Sequence, residues 1–226
     1  AQSLDPFVSY DICGTKTGRL TTKKDSFPIL TLDKSFRKVL KPQNDYFVEL
    51  DFNAAELRTL LALSGKEQPP GDIHEWNAKN VYGNETSREE AKKRIFAWLY
   101  NPDSRDRLSS GVYNRDAVVQ KYYSEGQVKT FFDRIISSDD HHALNYIVQS
   151  TTSDLFLRQA TKIYEALSNT KSKIAFCVHD SLVIDYSFEQ NSLLKDLIET
   201  FSETELGKFK VNVSVGSNFG ELRKIR

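Results

Sequence analysis

The chain has 226 residues, enough to bury a substantial core as one large domain or as a domain with a smaller one attached. Its 39% hydrophobic and 27% charged residues are those of an ordinary globular protein, with no apolar run long enough to span a bilayer and no charged-then-apolar signal segment. A formal net charge of zero argues against a generic basic nucleic-acid binder, and Cys13 and Cys177, far apart and without metal-ligand spacing, point to a reducing, cytoplasmic compartment.

Residues 1–42 read as extended segments and loops punctuated by Gly14, Gly18, Pro28 and Pro42. Basic residues crowd this region: Lys16, Arg19, Lys23, Lys24, Lys34, Arg37, Lys38 and Lys41 stand against Asp25 and Asp33. A second basic cluster is Arg88, Lys92, Lys93 and Arg94, while acid gathers at Glu189, Asp196, Glu199, Glu203 and Glu205. Segregation of this kind leaves either a basic cleft on a neutral molecule or an ordinary solvated surface.

The short apolar run Tyr46–Phe52 suits a buried strand. Residues 54–64 then take helical apolar spacing and stop at Gly65, and 72–82 form a helix ended by Gly83. The clearest helix is 86–100, with Ser87 and Glu90 in capping-box spacing and Asn101-Pro102 closing it. Residues 102–140 are polar and carry no clear period. A long helix follows over 141–167, then two apolar strands, Lys173–Val178 and 182–186, around a tight turn at His179-Asp180-Ser181. A helix over 192–201 and a strand over 210–215 complete an α+β chain with an antiparallel sheet.

Two features carry chemistry. Asp51 ends one strand and Asp180 sits in the turn between two others. A lone aspartate at a strand end is more often a turn or cap residue. Two carboxylates on one sheet repel, however, and a divalent cation relieves the repulsion. Oxygen-only ligands suit magnesium, and two such ions serve an in-line phosphoryl displacement. The second feature is the stripe Arg88, Lys92, Phe96 and Tyr100, four residues apart along one helix face and about 18 Å long. Its cations stand at the helix N-terminus and its aromatics at the other end, an order that fits a nucleoside triphosphate and equally an amphipathic helix with a solvated basic face.

Together the segments resemble family A DNA polymerases. Thr17-Gly18-Arg19-Leu20-Thr21-Thr22 is similar to that family's TGRLSS, and Asp51-Phe52-Asn53-Ala54-Ala55-Glu56-Leu57-Arg58 to its motif A, DYSQIELR. Asp72-Ile73-His74 resembles the DIH element, the stripe on residues 88–100 motif B, Asn145 with Gln149 the N-x-x-x-Q helix, and Val178-His179-Asp180 motif C. The resemblance implies a polymerase palm with an antiparallel sheet, over 1–65 and 139–226, and helical fingers over 66–138 with the nucleotide-binding helix at 86–101. It implies a DNA-directed DNA polymerase that adds deoxynucleotides to a primer 3′ end with two Mg2+ ions. Asp51, Asp180 and the Phe52 main-chain carbonyl would hold the metals. Arg88, Lys92 and His74 would hold the triphosphate, with Lys92 also protonating the leaving pyrophosphate. Phe96 would pack on the incoming nucleotide, Tyr100 would lie near the template base, and Glu56 would exclude a ribose 2′-hydroxyl. Arg19, Asn145, Gln149 and His179 would touch primer–template DNA.

Departures from the family set further expectations. Ser181 stands where motif C has glutamate, which removes a third carboxylate and is similar to single-subunit RNA polymerases. Glu56 speaks for DNA against that hint. Ala54, Ala55, Ala97 and Asn101 replace larger residues or glycines and suggest a divergent viral branch, hence a host cytoplasm. The resemblance begins at the palm, so a thumb and exonuclease are expected upstream or on a partner, and weak, salt-sensitive DNA binding from this piece alone. A catalytically inactive DNA-binding palm module is the alternative from another class.

Overall fold

Tyr46–Phe52 forms the expected strand, β1, and every later strand of the main sheet is laid down around it. The computed structural model describes residues 7–83, 85–190 and 193–225. Three further long strands are β2 (Lys173–Val178), β3 (Ser181–Tyr186) and β4 (Val211–Gly216), and a short one is β5 (Arg223–Lys224). The helices are α1 (Ala55–Leu63), α2 (Ile73–Asn77), α3 (Arg88–Tyr100), α4 (Arg107–Tyr113), α5 (Arg115–Tyr122), α6 (Asp140–Leu167) and α7 (Leu193–Ser202). The expected start of the last helix at Ser192 lies outside the described residues. Among those residues, no helix is long and apolar enough to cross a membrane.

The chain folds into two compact units. The first comprises the described residues of 1–52, 153–204 and 211–226, and holds a five-stranded antiparallel sheet in the order β5-β4-β1-β3-β2. Register sorts the side chains by face, because directly opposed residues of paired strands point the same way. Val48, Leu50 and Phe52 pair with Val215, Val213 and Val211 on one side and the first two with Ile184 and Leu182 on the other. These apolar residues make one face, and α7 packs on it through Leu197, Ile198 and Phe201. The rings of Phe52 and Phe201 stack at 4.4 Å. Gln159 on α6 donates to the carbonyls of Thr200, Phe201 and Glu203 and so closes the end of α7. The opposite face packs Phe47, Phe176, Val178 and Val183 against Ile29 and Phe219. Covered on both faces, β3 is buried along its whole length, which is why it reads as an unbroken apolar run rather than an alternation.

The second unit comprises residues 53–152 and 205–210 and is mainly helical. Its core gathers Leu57, Leu60 and Leu61 of α1, Ile95, Trp98 and Leu99 of α3, and Tyr113, Val118, Ile147 and Val148. The capping box on α3 is formed, Ser87 N donating to the Glu90 carboxylate at 2.9 Å and Glu90 N to Ser87 Oγ at 3.3 Å. The expected helix over 72–82 is instead an α-helix that passes into a π-helical turn, Ala78–Tyr82. Residues 102–140, without a legible period, hold α4, α5 and a small antiparallel sheet of Tyr123–Ser124, Gln127–Lys129 and Ile135–Ser137. Strands of two and three residues leave no periodic signal.

Candidate active site

One end of the main sheet breaks the apolar pattern of its face. Asp51 is paired with Ser181 on β3 and with Asn212 on β4, while Glu49 is paired with Val183 and Ser214. Alternation therefore puts Glu49, Asp51, Ser181 and Asn212 on the same face. Asp180 immediately precedes Ser181 in the tight turn, where His179 takes a left-handed backbone with φ 52°. The two aspartates that the sequence separates by more than a hundred residues are thus one strand pairing apart.

The charges at this end are interdependent. Burial, more than the neighbouring Glu49 and Asp180 carboxylates, pushes the Asp51 carboxyl up to about 6, against an Asn212 Nδ2 donor at 3.0 Å. Burial also raises the Asp180 carboxyl, and the neighbouring Arg19 and His179 side chains pull it back. Glu49 is raised by burial as well, and its Oε1 lies 3.1 Å from Ser181 Oγ. Ser181 Oγ is also 3.0 Å from the Val178 carbonyl, closing the turn. Asn212 Oδ1 is buried with no hydrogen-bond partner. Buried, mutually repelling carboxylates beside an orphaned carbonyl oxygen are a hard oxygen donor set, and magnesium suits it. Among the described residues no group of three or more His, Cys, Asp or Glu is disposed to hold a metal, and magnesium commonly needs only one or two protein carboxylates.

The second cluster lies on α3 and its neighbours. Ala91, Ile95, Trp98 and Leu99 are buried and turn the Arg88–Lys92–Phe96–Tyr100 stripe away from the core. Lys92 and Tyr100 are exposed, Arg88 and Phe96 half-buried. The rings of Phe96 and Tyr100 stack at 5.8 Å, and His74 lies 5.5 Å from Phe96. His74 is buried, and that burial, with the nearby Arg88 and Lys92 cations, lowers its imidazole to about 4 against the pull of Asp72. It is a neutral hydrogen-bonding group at neutral pH rather than a cation. Buried Glu56 on α1 accepts a hydrogen bond from the Tyr100 hydroxyl. Asn145 is exposed on α6 and lines, with Tyr100, His141 and Arg115, a cleft of about 580 Å³. Gln149 is half-buried one turn further on, and Arg19 and His179 are exposed in the first unit.

Asn53 and Asp72 lie within the motifs quoted from the sequence but carry no role there, and Glu49 and Asn212 lie outside them. Glu49 was open to discovery, since it lies two residues before Asp51 on the same strand. Asn212 was not, because its pairing with Asp51 joins segments 161 residues apart.

No protein-family model matches the chain. It is 25% identical to DNA polymerase I of Caldicellulosiruptor bescii over 93% of this chain and 31% of that protein. It is 23% identical to DNA polymerase I of Chloroflexus aurantiacus, covering 95% of this chain and 29% of the relative. For the thermostable DNA polymerase I of Thermus aquaticus the figures are 25%, 84% and 29%. The chain therefore spans under a third of the length of these relatives. Its fold is that of the POL domain of Pol1 from M. smegmatis, solved with DNA primer-template and dNTP, at a TM-score of 0.73 over 94% of this chain and 48% of that one. Sequence identity there is 16%.

Proposed function

We propose that the chain is the palm and fingers of a family A DNA polymerase, extending a primer 3′ end on a DNA template with deoxynucleoside triphosphates. The observation that carries this reading is the register of β1 with β3, which sets Asp51 beside the turn bearing Asp180. The resemblance to proteins named DNA polymerase I and the polymerase-domain fold support it. The palm comprises 1–65 and 139–226 and the fingers 66–138; the departures at Ala54, Ala55, Ala97 and Asn101 are what speak for a viral branch.

Asp51, Asp180 and the Phe52 carbonyl are the groups that would hold two magnesium ions. When bound, such ions neutralise charge on the attacking and leaving oxygens of an in-line displacement. Asp51 presents its carboxylate from the central strand, paired on both sides, so its aim is set by the sheet. Arg88 and Lys92 hold triphosphate oxygens, Lys92 donating a proton to the departing pyrophosphate, and neutral His74 contributes a hydrogen bond. Phe96 packs on the nucleotide and Tyr100 marks the template side. The Tyr100 hydroxyl fixes the Glu56 carboxylate, which leaves no room for a 2′-hydroxyl. Arg19, Asn145, Gln149 and His179 contact primer–template DNA.

Magnesium-dependent primer extension tests this directly, run with deoxynucleotides and with ribonucleotides. Wild-type protein extends with deoxynucleotides, and Asp180→Ala loses extension by several orders of magnitude while still binding primer–template. Preference for ribonucleotides would move the assignment to a single-subunit RNA polymerase. An inactive wild type that binds DNA would make the chain a binding module.

A further inference from the structure

The Asp72 carboxylate is held from four directions. Its Oδ1 accepts from His74 N at 2.9 Å and Glu75 N at 3.1 Å, capping α2. Its Oδ2 accepts from Asn53 Nδ2 at 2.9 Å and from Arg88 Nη2 at 2.9 Å. Asn53 is fixed in turn, since its Oδ1 accepts from Ile73 N at 3.0 Å and from Arg58 Nη2 at 3.1 Å. Arg58 has no solvent exposure and also donates to the carbonyls of Asn53, Pro69 and Gly71 and to Gln68 Oε1. A chain of hydrogen bonds thus runs from a buried, immobile guanidinium through Asn53 and Asp72 to the partly exposed Arg88.

We propose that Asp72 is a positioning residue for Arg88: its carboxylate, locked by Asn53 and the α2 backbone, sets where the Arg88 guanidinium meets the phosphates of an incoming nucleotide. The inference rests on the polymerase reading of Arg88. Arg88 sits in the first turn of α3 on a long flexible stem, and without an anchor that stem samples many rotamers. Two of its five N–H donors are engaged by Asp72 and Glu89, which leaves others for phosphate oxygens. Geometry and charge act in opposite directions here. Asp72 is negative, so by Coulomb's law alone its removal strengthens triphosphate binding; by positioning, its removal weakens it.

That opposition gives the test. In Asp72→Asn, which keeps the helix cap and loses the charge, kcat/KM for the deoxynucleotide falls about tenfold, mainly through KM. In an Arg88→Ala background the same substitution has no further effect, because Asp72 acts through Arg88. A purely structural role would lower the melting temperature and leave KM alone. An unchanged or lower KM, or full additivity with Arg88→Ala, overturns the proposal. Asp72→Ser, another N-cap residue without charge, is read the same way if Asp72→Asn does not fold. Equilibrium titration with a deoxynucleoside triphosphate and magnesium runs alongside. An inactive wild type sinks the polymerase reading, and the titration still decides the positioning.

Discussion

Glu56 is buried at the first turn of α1, and the Tyr100 hydroxyl donates to it. In the proposed polymerase site, a carboxylate so fixed would discriminate by occupying space. Glu56→Ala therefore raises ribonucleotide use relative to deoxynucleotide by on the order of tenfold or more, measured as the ratio of kcat/KM values. An unchanged ratio removes Glu56 from the gate. Asp51 makes a different residue-scale prediction. Because burial raises its carboxyl to about 6, the ionised form that binds a cation is present above that pH and lost as pH falls through it. Apparent magnesium affinity, titrated between pH 5 and 8, falls about tenfold per unit below 6. The metal-free protein shows the opposite sign. An acid whose folded pKa lies above its unfolded 3.8 costs stability while ionised, so this group's penalty is relieved between about 6 and 3.8. Affinity that stays flat down to pH 5 would exclude Asp51 as the titrating ligand.

At the scale of elements, α3 is held by more than its capping box. Arg115 at the start of α5 donates to the carbonyls of Trp98, Asn101, Pro102 and Ser104, and its guanidinium lies 4.8 Å over the Trp98 ring. It therefore ties one last-turn carbonyl of α3, that of Trp98, and the C-cap carbonyl of Asn101 to the loop that follows. Arg115→Ala leaves the buried Trp98 carbonyl and three part-buried ones without this donor and costs about 1–3 kcal/mol, read as a loss of unfolding free energy in denaturant, and lysine does not rescue it because it lacks the planar fork. A loss of unfolding free energy below about 0.5 kcal/mol would show water replacing Arg115 at little cost. Nothing in the sequence announced this clamp, since arginine at a helix start reads as surface charge. What the sequence did disclose was local. The apolar strand runs, the His179-Asp180 turn and the Ser87–Glu90 cap each lie within a dozen residues, and each appears as expected. Tyr113 bonding Asn77, Asn212 bonding Asp51 and Arg58 bonding Asn53 and Gly71 depend on tertiary structure, which one-dimensional spacing does not encode. The α+β architecture was thus legible, as were the positions of Asp51 in a strand, of Asp180 in a turn and of the stripe along one helix. The polar network that orients them was not.

At the scale of the whole molecule, zero net charge and a nucleic-acid partner are compatible only if the charges are segregated. In the first unit Lys16, Arg19, Lys23 and Lys24 are exposed within nine residues, while Asp196 and Glu199 are exposed on α7. DNA affinity governed by local phosphate contacts has a log–log salt slope proportional to the number of cations engaged, whatever the net charge. Measured by anisotropy over a salt series, Arg19→Ala then lowers the slope by about one, and Asp196→Asn with Glu199→Gln leaves it unchanged. Affinity governed by net charge behaves otherwise: both changes would shift binding, in opposite directions and in proportion to charge. Opposite shifts, the acidic pair's about twice that of Arg19→Ala, would therefore remove Arg19 from the DNA interface and return the 16–41 cluster to a solvated surface.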